Sequence, residues 1–419
     1  MRRGSSLQIA AGAMATLLLA TASCSSDKAS SPPTVITEPV PLVTRADDGV
    51  LTIGVLTPQG SAFADIGQSI GRGAQLAVQD INTAGGFDGT SVEMIPEDED
   101  VQGAGVEAAI TKLLDENVDA IVGPASSTNA LAALGEIVDA GVVACSPTAS
   151  ASMLDAFPDQ NLFFRTIPSD TLQAGAIAEA VDQTGASKAT IVYIDDAYGQ
   201  AFESSVSDAL QRKQIDESDS VAYSSDKDRI EAAAGKVASI GAGVVVVIGD
   251  ATSGPVMLEA IDAKEPTLQA RYVVNDAMRR PSASAQPMPE ELATRVNGVS
   301  PIAYSTDQDF LDALGTSADS PSPYAANAYD CVNLIALAAW SARSTQPIDI
   351  ASFIPGVSAS GTPCMSFAQC RDDLVAGSNI NYDGPAGSLT LDAKGEVTNP
   401  KFALFGFQDG RDVDIGTLP

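Results

Sequence analysis

Val244-Val245-Val246-Val247-Ile248 decides how this chain is built. Five β-branched residues in a row cannot alternate between core and water, so the segment reads as a strand covered on both faces. Such a strand belongs inside a parallel sheet with helices packed on either side. Similar apolar runs lie at Leu51–Leu56, Val118–Val122, Val142–Cys145, Thr190–Ile194 and Tyr272–Val274. Between the runs the spacing turns helical. Ile70, Ala74, Ala77, Val78 and Ile81 share one face that Gly85-Gly86 ends, and Leu131, Leu134, Ile137 and Val138 share another after Asn129. This alternation predicts an α/β fold of parallel sheets with right-handed crossovers.

With 419 residues the chain exceeds one doubly wound sheet, so two doubly wound parallel-sheet lobes are expected. Three segments read as passages between them: Phe163 to Asp170, Val296 to Ser305, and Asn381 to Gly387. Three crossings make the lobes discontinuous, with a three-segment hinge between them. The expected division is 50–165 plus 302–380 for lobe 1, and 166–301 plus 381–419 for lobe 2.

Composition narrows the function. Apolar residues make up 45%, enough for a core, while 23 Lys and Arg against 54 Asp and Glu give a charge of −31. That acidity argues against a nucleic-acid partner, which needs a basic face. The chain contains no histidine, which removes Ser-His-Asp and Cys-His catalysis and every His-containing zinc site. A glycosidase working with carboxylates alone would need aromatic sugar platforms, and aromatic residues are only 5%. No enzyme activity is expected, and no cofactor or metal.

The amino end reads as an address. Arg2 and Arg3 precede the apolar run Ile9–Ala20, which ends in Thr21-Ala22-Ser23-Cys24. A basic start, a short apolar run and small residues at a cut site describe a signal peptide over 1–23. Cys24 after Ala-Ser resembles a bacterial lipobox, although Thr21 stands where leucine is usual; a conventional signal peptide cut nearby is the alternative. A diacylated Cys24 would anchor the protein to the outer face of the cytoplasmic membrane, since two acyl chains suffice. Residues 24–49, with Pro32, Pro33, Pro39 and Pro41, read as a tether, so folding should begin near Val50. Four further cysteines follow. Cys364 and Cys370 are expected to close a small loop by disulfide, whereas Cys145 and Cys331 could bridge or remain buried thiols.

At this point the pattern becomes recognisable. Ile53-Gly54-Val55, Asp80-Ile81-Asn82 with Gly85-Gly86, Ile121-Val122-Gly123-Pro124, Ser146-Pro147-Thr148-Ala149-Ser150, Phe164-Arg165, Asp195-x-x-Tyr198-Gly199, Tyr329-Asp330 and Asp383-Gly384-x-x-Gly387 occur in order across Val50 to Phe407. Together they resemble type I periplasmic solute-binding proteins, in particular the leucine/isoleucine/valine-binding group that serves ABC importers. The resemblance implies two lobes closing on a small ligand, with an ABC permease as partner and a monomeric binding protein.

It also implies site residues. Ser127, beside Ser126 at a helix start, matches the serine that holds the amino-acid head group, and that start would also serve as an N-cap and anion site. Ser150 matches the threonine whose hydroxyl and N–H hold the carboxylate, and Thr148 the carbonyl offered to the ammonium. Asp276 matches the acidic partner of that ammonium. Tyr198 matches the tyrosine covering the ligand from the second lobe, and Tyr324 an aromatic of the first.

Ala251 and Ile66 stand where the group carries aromatics, although Phe63 could compensate for the latter, so the side-chain pocket should differ and the ligand is not carried over. Arg279-Arg280 could neutralise an acidic ligand, or be surface charges near a Pro-rich loop. The expected function is a lipid-anchored binding protein that captures an amino acid or related polar solute for an ABC importer. The alternative is a ligand-sensing receptor module of the same fold.

Overall fold

The computed structural model describes residues 45, 47–60, 63–99, 105–264, 269–279, 287–316 and 322–419. The signal sequence, Cys24, most of the tether and Arg280 lie outside the described residues.

The first sheet is parallel throughout. It contains β1 (Thr52–Thr57), β2 (Glu93–Asp98), β3 (Ala120–Val122), β4 (Val143–Ser146) and β5 (Phe163–Arg165), in the order β2-β1-β3-β4-β5. Its crossovers carry α1 (Ala64–Thr83), α2 (Val106–Asp115) and α3 (Ser127–Asp139). On α1 the buried residues include Ile70, Ala74, Ala77, Val78 and Ile81, the stripe read from the spacing.

The second sheet has the order β14-β13-β10-β9-β8-β6-β7. Its parallel strands are β6 (Lys188–Ile194), β7 (Asp216–Tyr223), β8 (Val244–Ile248), β9 (Arg271–Val274) and β10 (Val296–Pro301). The helices between are α4 (Asp170–Asp182), α5 (Ala197–Arg212), α6 (Lys227–Ile240), α7 (Ser253–Lys264) and the short α8 (Glu290–Ala293). Alternate residues of β8 enter opposite cores: Val245 and Val247 pack with one cluster, and Val244, Val246 and Ile248 with the other. A strand sealed on both faces has no room for polar side chains, which is why the run is unbroken.

After β10 the chain returns to the first core through α9 (Gln308–Leu314), α10 (Ala325–Ala342) and α11 (Pro347–Ala359). Then come β11 (Thr362–Cys364), α12 (Phe367–Val375) and β12 (Ile380–Tyr382), with β11 paired to β12. Leu389, Leu391 and Val397 bury in the first core before β13 (Phe402–Gln408) and β14 (Arg411–Leu418) join the second sheet. These last two strands are antiparallel, an edge that the expectation of purely parallel sheets missed. Asp409 and Gly410, both at positive φ, make the hairpin turn between them.

Helix α10 is buried on nearly every face and lies close along α1. Gly73 allows the approach, since a Cβ there would come within 2.0 Å of the Ala325 carbonyl oxygen. The helix also carries Asp330 into the core. Its Oδ1 accepts from Tyr382 OH at 2.6 Å and its Oδ2 from the Ala386 N–H at 3.0 Å. Gly384 faces the same carboxylate, where a Cβ would meet Oδ1 at 1.8 Å. Two disulfides cross-link this half: Cys145 in β4 to Cys331 in α10, and Cys364 to Cys370. The second is the expected pair, and the first is a bridge rather than two thiols.

Cys145–Cys331 spans 186 positions and Cys364–Cys370 only 6. On loop-closure entropy, removing the long bridge should cost about 5 kcal/mol and the short one about 2 kcal/mol. Urea unfolding of the two double Cys→Ala variants checks this, and equal losses would contradict the entropic account. Burial raises Asp119 to about 7 and Asp330 to about 8. The folded chain therefore binds these protons more tightly than the unfolded chain does, and stability falls as pH rises from the ordinary carboxylate range through 7 to 8. A thermal melt at pH 5.5 should lie about 4 °C or more above one at pH 8.5.

Candidate functional site

Two loops follow strands of the first sheet and bind one another. Ser126 caps α3, accepting from the Asn129 N–H at 3.4 Å. Ser127 Oγ accepts from the Ala151 N–H at 3.2 Å, and Thr148 Oγ1 donates to the Ala125 carbonyl at 2.8 Å. The start of α3 is less open to an outside anion than its sequence suggests. Glu99, 1% exposed, takes the Ala125 N–H at 2.6 Å and the Ser126 N–H at 3.0 Å. Burial raises this carboxyl to about 7 against the pull of those hydrogen bonds. Ser127 remains half-buried next to the second loop.

That second loop is held from below by Arg165. Its guanidinium reaches the Ala149 and Ala151 carbonyl oxygens at 3.4 Å, Asp155 Oδ1 at 2.7 Å and both oxygens of Glu396. Asp155 in turn accepts from Ser169 Oγ and Thr171 Oγ1, at the start of α4. Ser150 also looks across to α4. Its carbonyl accepts the Asp170 N–H at 2.8 Å, and its side chain bonds the Asp170 carboxyl.

Lobe 2 contributes the facing wall. Asp196 caps α5 through the Gly199 N–H at 2.8 Å, placing Tyr198 in its first turn. Tyr198 OH accepts from Asn275 Nδ2 at 3.2 Å, and the ring meets Phe202 edge-on at 5.8 Å. Asn275 is itself fixed by Gly249, whose N–H and carbonyl it bonds at 3.1 and 3.0 Å. Asp276 begins a short 3-10 turn past β9, and its Oδ1 accepts from Gln173 Nε2 at 2.9 Å. α5 comes against the turn 152–156 of the first lobe, so the walls approach one another.

Several of these residues influence one another electrostatically. Burial first, then repulsion from Asp276, raises Asp170 to about 7, and burial also raises Asp276. Tyr198 is pushed well up by burial and by both acids, and Tyr324 by burial and Asp276. Tyr324 precedes α10 at φ +61° and donates its N–H to the Ala303 carbonyl at 2.7 Å. Ser150, Tyr198 and Asp276 thus gather around Asp170, with Tyr324 near Asp276 and Ser126, Ser127 and Thr148 one loop away from Ser150. Ala251 lies exposed in the turn before α7, Ile66 is half-buried against the first core, and Phe63 is 47% exposed.

Four contributors are absent from the sequence reading: Glu99, Asp170, Gln173 and Asn275. The available signal was Asp170-x-x-Gln173, an acid and an amide one turn apart on a helix that opens at a lobe crossing. Arg279 is not a loose surface charge. It is half-buried, ion-paired to Asp412 and Asp414 at 2.7 and 2.6 Å, bonded to Ser300 and set 4.4 Å over the Phe405 ring. Gly67-Gln68-Ser69-Ile70-Gly71 has the spacing of a nucleophile elbow, but it lies within α1 and Ser69 Oγ donates to the Pro323 carbonyl.

Comparison with known proteins agrees with this architecture. A chemotactic signal transduction system substrate-binding protein of Halobacterium salinarum is 27% identical over 363 residues, 82% of this chain and 84% of that protein. Leu/Ile/Val-binding protein homolog 3 of Brucella melitensis is 25% identical, covering 87% of this chain and 93% of its own. An ABC transporter substrate-binding protein of Desulfitobacterium hafniense, solved in complex with Leu, superposes with a TM-score of 0.66 at 22% identity, over 87% of this chain and all of that one. The family model for periplasmic binding proteins matches residues 50–410. The chain belongs to the periplasmic binding protein family and has the type I fold of its solute-binding members.

Proposed function

We propose that the cleft between the lobes captures an amino acid or a closely related polar solute. The observation that carries this is the half-buried Asp276, whose Oδ1 accepts from Gln173 and whose charge acts on both Tyr198 and Tyr324, next to Asp170 and its partner Ser150. A buried carboxylate needs a cationic partner, and an α-ammonium supplies charge and N–H donors together. Ser127 and Ser150 would hold the ligand carboxylate and Thr148 would offer its carbonyl to the ammonium, with the tyrosines excluding water. The relatives' names, Leu/Ile/Val-binding and substrate-binding, support binding rather than catalysis as the work of this site.

The protein would act outside the cell, anchored through a lipidated Cys24, and deliver its solute to an ABC permease as a monomer. The lobes would follow the divisions 50–165 with 302–380 and 166–301 with 381–419, although Tyr382, Leu389, Leu391 and Val397 of the last stretch pack in the first core before the chain crosses to β13. Sensing is a second reading, favoured by the chemotactic system named for the Halobacterium salinarum relative.

A ligand at 100 times its Kd should stabilise the protein by about 2.7 kcal/mol in thermal-shift or calorimetric assays. Asp276→Ala should weaken amino-acid binding by about tenfold or more; unchanged affinity would remove Asp276 from the site. Cys24→Ala should move the mature protein from the membrane fraction to the soluble one, and continued membrane association would rule out the lipid anchor.

A further inference from the structure

The half built on the second sheet holds a cavity of about 520 Å3. It opens at the amino ends of β9 and β10, whereas Asn275 and Asp276 follow the carboxyl end of β9. Arg271 and Val273 alternate with Tyr272 on β9, and Val273 pairs with Asn297 of β10. Arg271 and Asn297 therefore lie on the face of the sheet that α4 covers, and Gln183 and Thr184, just past the end of α4, form the opposite wall.

The charge inside this cavity is unlike that of the chain around it. In a chain with 54 Asp and Glu and a charge of −31, the described residues that line it include Arg271 and Arg295 and no acid. Arg295 is already ion-paired, to Asp262 at 2.6 Å. Among the described residues Arg271 has no ion pair or side-chain hydrogen bond, and neither has the Asn297 amide. The acids near the end of α4, Glu179 and Asp182, pair with Lys213. The last carbonyls of that helix are also met: Glu179's by the Gln183 N–H, Val181's by the Thr184 N–H and hydroxyl, and Asp182's by the Gly185 N–H. Little of the helix's negative end is left to face the cavity.

An unpaired guanidinium beside amide and hydroxyl groups is a fork of donors that suits a carboxylate or a phosphate. The volume falls in the range of small-molecule sites, roughly 300–1,000 Å3, and Leu404 supplies an apolar wall. At physiological salt, exposed charges more than about 8 Å away are largely screened, so the acidity of the whole chain does not bar an anion here. We infer that this cavity is a second binding site, for a small organic anion whose carboxylate or phosphate group pairs with Arg271. The inference goes beyond the amino-acid reading of the cleft and does not depend on it.

Calorimetric titration of the purified protein with citrate and with glycerol 3-phosphate tests it, the two probes separating carboxylate from phosphate. Saturable binding of at least one is expected. Arg271→Gln should weaken that binding by about tenfold or more. Arg343→Gln removes the same charge at the end of α10, in the other half, and should leave the affinity within about twofold. Both side chains are exposed, and the melting curves of the two variants report that they fold. Binding of neither probe, or equal affinity in the wild type and Arg271→Gln, would overturn the inference. An equal loss in both variants would do so too, since it would trace the binding to overall charge rather than to this cavity.

Discussion

Arg165 ends β5 with no exposed side-chain surface, yet its guanidinium serves three separate stretches of chain. It steadies the loop that presents Ser150, it pairs with Asp155 beside the first passage between lobes, and it pairs with Glu396 on the return toward β13. A desolvated guanidinium is tolerable only when its donors are met, and the planar fork meets several acceptors at once. Lysine could not replace it, since a single ammonium cannot address the Ala149 and Ala151 carbonyls and two carboxylates from one position. The loop of Ser150 and two of the chain's passages consequently share one anchor.

From that anchor the electrostatics of the cleft follow. Arg165 is ion-paired to Asp155 and Glu396, and Arg279 to Asp412 and Asp414. Each also favours the charged form of one nearby acid, Arg165 that of Asp170 and Arg279 that of Asp276, but burial outweighs both and raises the two carboxyls. The charge of this region thus depends on where the two arginines are committed. Glu99 does the same on the other side: by taking the Ala125 and Ser126 N–H groups it leaves the start of α3 with fewer free donors than a bare helix end.

Much of the fold was legible because it depends on period. Val244–Ile248 and the α1 stripe declare themselves whatever surrounds them, and the disulfide at Cys364 and Cys370 follows from their closeness in sequence. The antiparallel edge was legible in principle from Asp409-Gly410 between two β runs, but strand direction within a sheet is a tertiary property. The site was less readable. Glu97-Asp98-Glu99-Asp100 contains four acids, and nothing local says which one turns inward. Asp170 looks like an ordinary first-turn acid, favoured there by the helix dipole, and only the packing of Ser150 and Asp276 around it changes its character. Arg279 shows the reverse, a residue that reads as solvated in sequence and is claimed by Asp412 and Asp414 from far along the chain.

Both disulfides lie in the half built on the first sheet: Cys145, Cys331, Cys364 and Cys370 all belong to its core. Among the described residues the half built on the second sheet has no covalent cross-link and is held by packing, hydrogen bonds and ion pairs. The two jaws are therefore unequally durable. Heat, proteases or denaturant should unravel the stapled jaw last, so a worn molecule would keep a sound lower jaw and lose the upper one. In an oxidising compartment that asymmetry decides where ageing of the protein begins.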